Sequence, residues 1–188
     1  MKALAGTAVR VPDLLLFEED PNVVGGPFFT MVKVEGDITS DYPPGYHGAG
    51  FLFDSSPADR AQVWWRSLEI MAKLHAVDWR QPAFDFIEKP ADARDALQRR
   101  LNLFRRLADW SSSRPLKLVE KALVWLETNM PEVSRMSLCW GDACPSNIIF
   151  RDHEPVVALD WELLHLAVPE GDLAYFILVD EVAYHAHG

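Results

Sequence analysis

Three side chains suited to holding a hydroxyl or a hard cation fall close together. Asp142 and Asn147 lie in CWGDACPSNIIF (residues 139–150), and Asp160 lies in VVALDWE (residues 156–162). Asp142 follows one strand-like run and Asn147 starts another, so both belong to a short loop held at each end. A loop clamped by strands fixes its side chains more tightly than a free one, and positioning a reacting hydroxyl requires this. A carboxylate at 142 can accept a hydrogen bond from a hydroxyl, and the neutral carbonyl oxygen of Asn147 suits a hard cation. A carboxylate at 160, ending the next strand-like run, can hold Mg²⁺ between phosphate oxygens. These are the parts of phosphoryl transfer. Residues 142–147 taken alone also fit a plain turn, because Asp, Pro, Ser and Asn all favour turns.

The elements that must position these groups change character along the chain. Residues 14–18 (LLLFE) and 28–34 (FFTMVKV) read as strands, and EDPNVVGGP between them is turn chemistry, so an antiparallel hairpin is expected. Residues 35–56 are rich in Gly, Pro, Asp and Ser and read as a connector. Ser56 or Asp59 can cap a helix running to about Val77, with Val63, Trp64, Leu68, Met71, Ala72 and Leu74 at helical steps. Two more helices are expected over 91–110, carrying Leu97, Leu101, Phe104 and Leu107, and over 115–129, carrying Leu116, Val119, Leu123 and Leu126. Each stripe reads as core packing. Strands are expected again at 136–140, 147–150 and 156–159, then a last helix from about Glu170. This is an α+β pattern.

Composition narrows the function classes. At 188 residues, 49% hydrophobic and 24% charged, the chain can bury one substantial core. A net charge of −10 argues against a nucleic-acid partner and fits cationic or neutral substrates slightly better than anionic ones. The basic run RRLNLFRR (99–106) reads as a solvated helix face. No stretch is apolar enough for a membrane span or secretory leader, so no membrane association and a cytoplasmic location are expected. Cys139 and Cys144 fit free thiols in a reducing compartment better than a disulfide framework or a metal site.

GDACPSN followed by VVALDWE resembles the GDxxxxN and LDWE motifs of the aminoglycoside phosphotransferase family, small-molecule kinases that share the protein-kinase fold. Protein kinases carry HRDxxxxN and DFG in matching roles. The resemblance continues through LHAVDW (74–79) and PEGDLAY (169–175) in family order, covering most of the chain. It implies a protein-kinase-like fold, with a partial N-lobe hairpin and hinge strand over 1–35. A mainly helical C-lobe with a catalytic β-hairpin would follow over 36–188. It implies that Asp142 is the catalytic base or the acid that orients the substrate, that Asn147 and Asp160 bind Mg²⁺, and that the acceptor is a small-molecule hydroxyl. The backbone of Met31, Val32, Lys33 and Val34 would hold the adenine of ATP. Glu162 is left as a support or an outer partner of the metal, His75 as a packed helix end, and Asp172 as the cap of the last helix. Trp140 and Trp161 read as core aromatics beside the site.

The sequence departs from the family pattern in places. Trp140 stands where His is common, which removes a side chain able to hydrogen-bond beneath the metal loop, and Cys144 occupies an often basic position. The Gly-rich loop and the Lys–Glu pair of a kinase N-lobe are not found, and residues 1–13 resemble the tail of the helix that carries that Glu. The chain stops after the helix following PEGDLAY, where relatives continue. A member shortened at both ends is expected, slow as a catalyst, with an open sheet edge that invites self-association. The rival readings are a nucleotide-binding pseudokinase without turnover and a remnant without function. A metal-dependent hydrolase would instead release phosphate without any acceptor.

Overall fold

Local sequence signals place most elements within a few residues of their ends in the computed structural model, which describes residues 1–112, 114 and 116–185. In chain order these are β1 (Leu14–Glu18), β2 (Phe28–Met31), β3 (Asp37–Ile38), α1 (Phe51–Asp54), α2 (Pro57–His75), α3 (Ala93–Ser111) and α4 (Lys117–Thr128). There follow β4 (Ser137–Cys139), β5 (Ile148–Arg151), β6 (Glu154–Ala158), β7 (His165–Ala167) and α5 (Glu170–His185). The strands form three small antiparallel sheets: β1–β2, β3–β5–β6 and β4–β7. The architecture is the α+β arrangement expected from the sequence.

Capping chemistry starts the long helices. The Ser56 hydroxyl accepts the Asp59 N–H at 3.2 Å with Pro57 at the first helical position, and the Asp92 carboxylate accepts the Asp95 N–H at 2.8 Å. Helix α2 buries Val63, Ser67, Ile70, Met71 and Leu74 on one face, while Ala72, expected in that stripe, is exposed. This face packs on the two sheets that carry the loop. The core joins Leu74, Leu138, Trp140, Ile148, Phe150 and Phe176 with Leu4 and Val9 from the first residues of the chain.

The structure corrects several expectations. Strand β2 ends at Met31, although the Val32 N–H still bonds Asp13 O at 2.9 Å, so Lys33 and Val34 lie outside the ladder. Residues 1–13 hold a 3-10 turn (Lys2–Leu4), turn and bend over 5–9, and then pass beside β6, where Arg10 O accepts the Ala158 N–H at 2.9 Å. The connector is partly ordered as β3 and α1. Gly36 makes this possible, because a Cβ there would lie 2.3 Å from Phe150 O. The stripes of α3 and α4 are only half used: Leu101 and Leu123 are buried, but Phe104, Leu107, Leu116 and Leu126 remain exposed. These two helices pack on each other, and no described element covers their shared apolar edge. Helix α5 carries apolar side chains on more than one face and likewise buries only Asp172, Phe176 and Ala183. Among the described residues, no helix is long and apolar enough to cross a membrane.

Leu74 is fully buried between α2 and the sheets. Leu74→Ala should therefore cost about 2–5 kcal/mol, read as a lower urea midpoint at unchanged slope.

Candidate active site

The loop is built by two ladders. Strand β4 pairs with β7 in the register Ser137↔Ala167, Leu138↔Leu166 and Cys139↔His165, and delivers the chain into Trp140, Gly141 and Asp142. After a 3-10 turn (Pro145–Asn147), β5 pairs with β6 with Ile148 opposite Ala158. Asn147 O extends that ladder by accepting the Leu159 N–H at 2.8 Å. Asn147 and Asp160 therefore emerge at the same end of one hairpin. The opposite end is closed by Asp152 (φ 51°) and His153 (φ 62°), both left-handed, as a tight hairpin turn requires.

The Asn147 amide donates to Asp142 O at 2.9 Å and to Asp142 Oδ2 at 2.8 Å. The amide must face this way, since its oxygen would repel the carboxylate. Its Oδ1 is consequently the free atom. Asp160 takes a left-handed conformation (φ 55°), and its exposed carboxylate has no hydrogen-bond or ion-pair partner among the described residues. A free amide oxygen and an exposed carboxylate on one hairpin end form a donor set that fits a hard cation such as Mg²⁺.

Asp172 is not the helix cap that its position suggested. It lies inside the first turn of α5, 2% exposed, with its carboxylate turned back onto the loop. Oδ2 accepts the Trp140 N–H at 2.8 Å and Oδ1 accepts the Gly141 N–H at 2.9 Å. His75, ending α2, places Nε2 2.8 Å from Oδ2. The buried carboxylate is thereby satisfied from three sides, which its burial demands. Gly141 is required for the same contact: its φ is +87°, and a Cβ there would lie 2.4 Å from Leu163 O.

Trp140 also departs from expectation, because it does hydrogen-bond beneath the metal loop. Its indole Nε1–H donates to Leu159 O at 3.0 Å and to Asp160 O at 2.9 Å. The ring stacks on Trp161 at 5.0 Å and 15°, and Trp161 Nε1–H donates to Ala158 O at 2.9 Å. An indole donor thus occupies the place where the family commonly has an imidazole. Tyr175 is a contact the sequence reading missed. Its phenol faces Asp142, and burial, reinforced by that carboxylate, raises its pKa. Its spacing of three residues from Asp172 in PEGDLAY puts both on one side of α5, and that was the available signal.

The remaining expected residues fall elsewhere. Met31 pairs with Leu14 and the Val32 N–H is engaged by Asp13 O, while Lys33 and Val34 lie beyond the ladder. Glu162 is exposed. Burial pushes the Cys139 thiol up to about 12 and the Cys144 thiol up to about 11, so both stay protonated at neutral pH. His75, Cys139 and Asp172 bring ligand-type atoms within 4.8 Å of one another. They read as a buried hydrogen-bonded cluster, because the Asp172 oxygens are already turned to the Trp140 and Gly141 N–H groups and to His75.

Comparisons with known proteins show the family and the fold. The model of the phosphotransferase enzyme family matches residues 1–185. Mouse acyl-CoA dehydrogenase family member 10 is 29% identical over 180 residues, covering 95% of this chain and 16% of the mouse protein. A Ralstonia eutropha structure assigned by name to the aminoglycoside phosphotransferases superposes with a TM-score of 0.74 at 26% identity, covering 94% of this chain and 51% of that one. A thermostable aminoglycoside phosphotransferase mutant in complex with ADP and hygromycin B superposes with a TM-score of 0.65. At 14% identity it shows the fold alone, over 98% of this chain and 62% of that one. The chain thus spans about half of the Ralstonia protein and a small part of the mouse protein.

Two outcomes follow from the loop's packing. Trp140→Phe keeps an aromatic ring but leaves the Leu159 and Asp160 carbonyls without their donor, and should cost about 1–3 kcal/mol in urea unfolding. A loss within error of zero would mean that these carbonyls find another partner. Iodoacetamide at pH 8 should label Cys139 and Cys144 slowly in the native protein and rapidly in denaturant, as read by intact mass. Fast native labelling would contradict the raised thiols.

Proposed function

The chain belongs to the phosphotransferase enzyme family, and from that membership we propose that it transfers the γ-phosphoryl group of ATP to a hydroxyl of a small molecule with the help of Mg²⁺. The observation that carries this reading is the Asn147 amide, which holds Asp142 and leaves its own oxygen free at the hairpin end shared with Asp160. Asp142 accepts the acceptor hydroxyl's hydrogen bond and takes its proton as the new P–O bond forms. The amide bond to Oδ2 stops the carboxylate from rotating away from that hydroxyl. Asn147 Oδ1 and the Asp160 carboxylate would hold Mg²⁺, which supplies neutralising charge to the phosphates when bound. Trp140 supports this arrangement from below by fixing the backbone that carries Asp160. The Asp172 carboxylate fixes the backbone just before Asp142.

The rest of the proposed assignment follows the same family reading. Residues 1–35 serve as the N-lobe part and hinge, with adenine held at Met31, Val32, Lys33 and Val34, chiefly through the backbone of Lys33 and Val34. Residues 36–188 serve as the catalytic lobe. We place the chain in the cytoplasm and assign self-association to the exposed β1–β2 edge, where Leu15, Phe17 and Phe29 face solvent.

Asp142→Asn should lower turnover about 10²–10⁴-fold while nucleotide affinity stays unchanged, with ADP release measured across a panel of hydroxyl acceptors. Turnover equal to wild type would remove Asp142 from the chemistry. Saturating ATP and Mg²⁺ should raise Tm by roughly 5–11 °C, and Asp160→Ala should abolish that shift. A shift that survives in the variant would place the metal elsewhere.

A further inference from the structure

Beside the metal loop, the charge of Arg100 lacks a partner. A cleft of about 570 Å³ lies between α3 and the segment that follows Asp160, lined by Arg99, Arg100, Arg106, Glu162 and His165 among others. Arg99 is held by Glu88 and by Asp95, the latter at 2.8 Å. Arg100 and Arg106 form no hydrogen bond or ion pair among the described residues. Arg100 is half-buried, and burial pulls its pKa down. The charge of Asp172 reaches it, but the Asp172 oxygens are turned to the Trp140 and Gly141 N–H groups and to His75, and no hydrogen bond joins them to the guanidinium. The Phe104 ring, 5.0 Å from Arg100 Cζ, offers only a cation–π contact. A desolvated guanidinium without a carboxylate or phosphate is a costly arrangement, and its cost disappears when an anion enters.

We propose that this cleft is an anion-binding subsite that receives the phosphate or carboxylate group of the acceptor molecule, with Arg100 as the principal contact and Arg106 as the second. The planar fork of Arg100 suits either anion through two parallel N–H donors. With Glu88 and Asp95 engaged by Arg99, the N–H donors of Arg100 and Arg106 stay unengaged by any carboxylate among the described residues, in a chain whose net charge is −10. The side chain of His165 is fixed by its Nδ1 at 2.7 Å from Leu163 O, which gives the cleft a stiff wall. The cleft's far wall is the 162–166 segment, two residues beyond Asp160, so an acceptor anchored here by its anionic end lies beside the proposed phosphoryl-transfer site. Anionic acceptors are accordingly selected despite the chain's overall negative charge. The acceptor assignment rests on the kinase reading, whereas the anion subsite does not.

The test is calorimetric titration of the whole protein with inorganic pyrophosphate in the presence of EDTA, so that no metal bridges it to the loop. Wild type and Asp160→Asn should bind it alike. Arg100→Gln should weaken binding about tenfold or more, Arg106→Gln should weaken it less, and Arg100→Lys should recover part of the loss. Retention of the Mg²⁺–ATP thermal shift in Arg100→Gln shows that the variant is folded, and Arg106→Gln and Arg100→Lys carry the test if it is not. No pyrophosphate binding, equal binding by the arginine variants, or loss in Asp160→Asn would overturn the subsite. For acceptors that support turnover, Arg100→Gln should raise KM for anionic ones and leave KM for neutral ones unchanged. An unchanged KM for anionic acceptors overturns the acceptor assignment even where pyrophosphate binds. Failure of the kinase reading shows differently, as absence of turnover with every acceptor while pyrophosphate binding still depends on Arg100.

Discussion

The buried carboxylate of Asp172 is the contact on which the site depends. A charge that is 2% exposed is tolerated only when donors surround it, and here the donors are the two backbone N–H groups immediately before Asp142 and the imidazole that ends α2. One side chain thereby joins the first turn of α5, the end of α2 and the entry to the loop. Its requirement runs both ways. The loop needs Asp172 to hold Trp140 and Gly141 in place, and Asp172 cannot be buried unless the loop presents those N–H groups. Gly141 completes the arrangement, because only a residue without a side chain can take its left-handed conformation against Leu163.

From that anchored entry, the rest of the site is assembled through backbone contacts. Trp140 donates to the carbonyls of Leu159 and Asp160, and Asn147 O accepts the Leu159 N–H, so the two loops share one frame. The side chains left over are those with chemistry to do. Asn147 has a free oxygen, Asp160 an exposed carboxylate, and Asp142 one face held by an amide and another near the Tyr175 phenol. Preorganisation of this kind is what phosphoryl transfer asks of a protein, since positioning and charge stabilisation supply nearly all of the catalysis.

Around this frame the structure is less closed. The β1–β2 hairpin is a two-stranded sheet with Leu15, Phe17 and Phe29 exposed, and two strands alone are marginal in water. The α3–α4 pair and α5 also show apolar faces to solvent. Stability is therefore concentrated in the α2–sheet core beneath the loop. Charge is placed unevenly as well: Arg100 and Arg106, without a hydrogen-bond or ion-pair partner among the described residues, line the cleft that borders the segment after Asp160.

The sequence by itself determined the loop and the residue types it presents, because Asp142, Asn147 and Asp160 stand at short spacing and strand-like runs on both sides are visible in the local pattern. It also determined the helix starts, since capping at Ser56 and Asp92 is a local event. Tertiary structure alone decided what Asp172 does, because an Asp in a first helical turn looks the same in sequence whether it caps the helix or turns toward a distant loop. It decided that Trp140 is a donor and not merely a core ring, since its acceptors lie about twenty residues away at Leu159 and Asp160. It decided that Phe104 and Leu107 stay exposed and that RRLNLFRR lines a cleft, because periodicity marks a helix face without saying what lies against it. The physical division is one of range: caps, turns and loop chemistry are set by neighbours along the chain, whereas the burial of a charge, the partner of an indole and the occupant of a helix face are set by residues the chain brings back from afar.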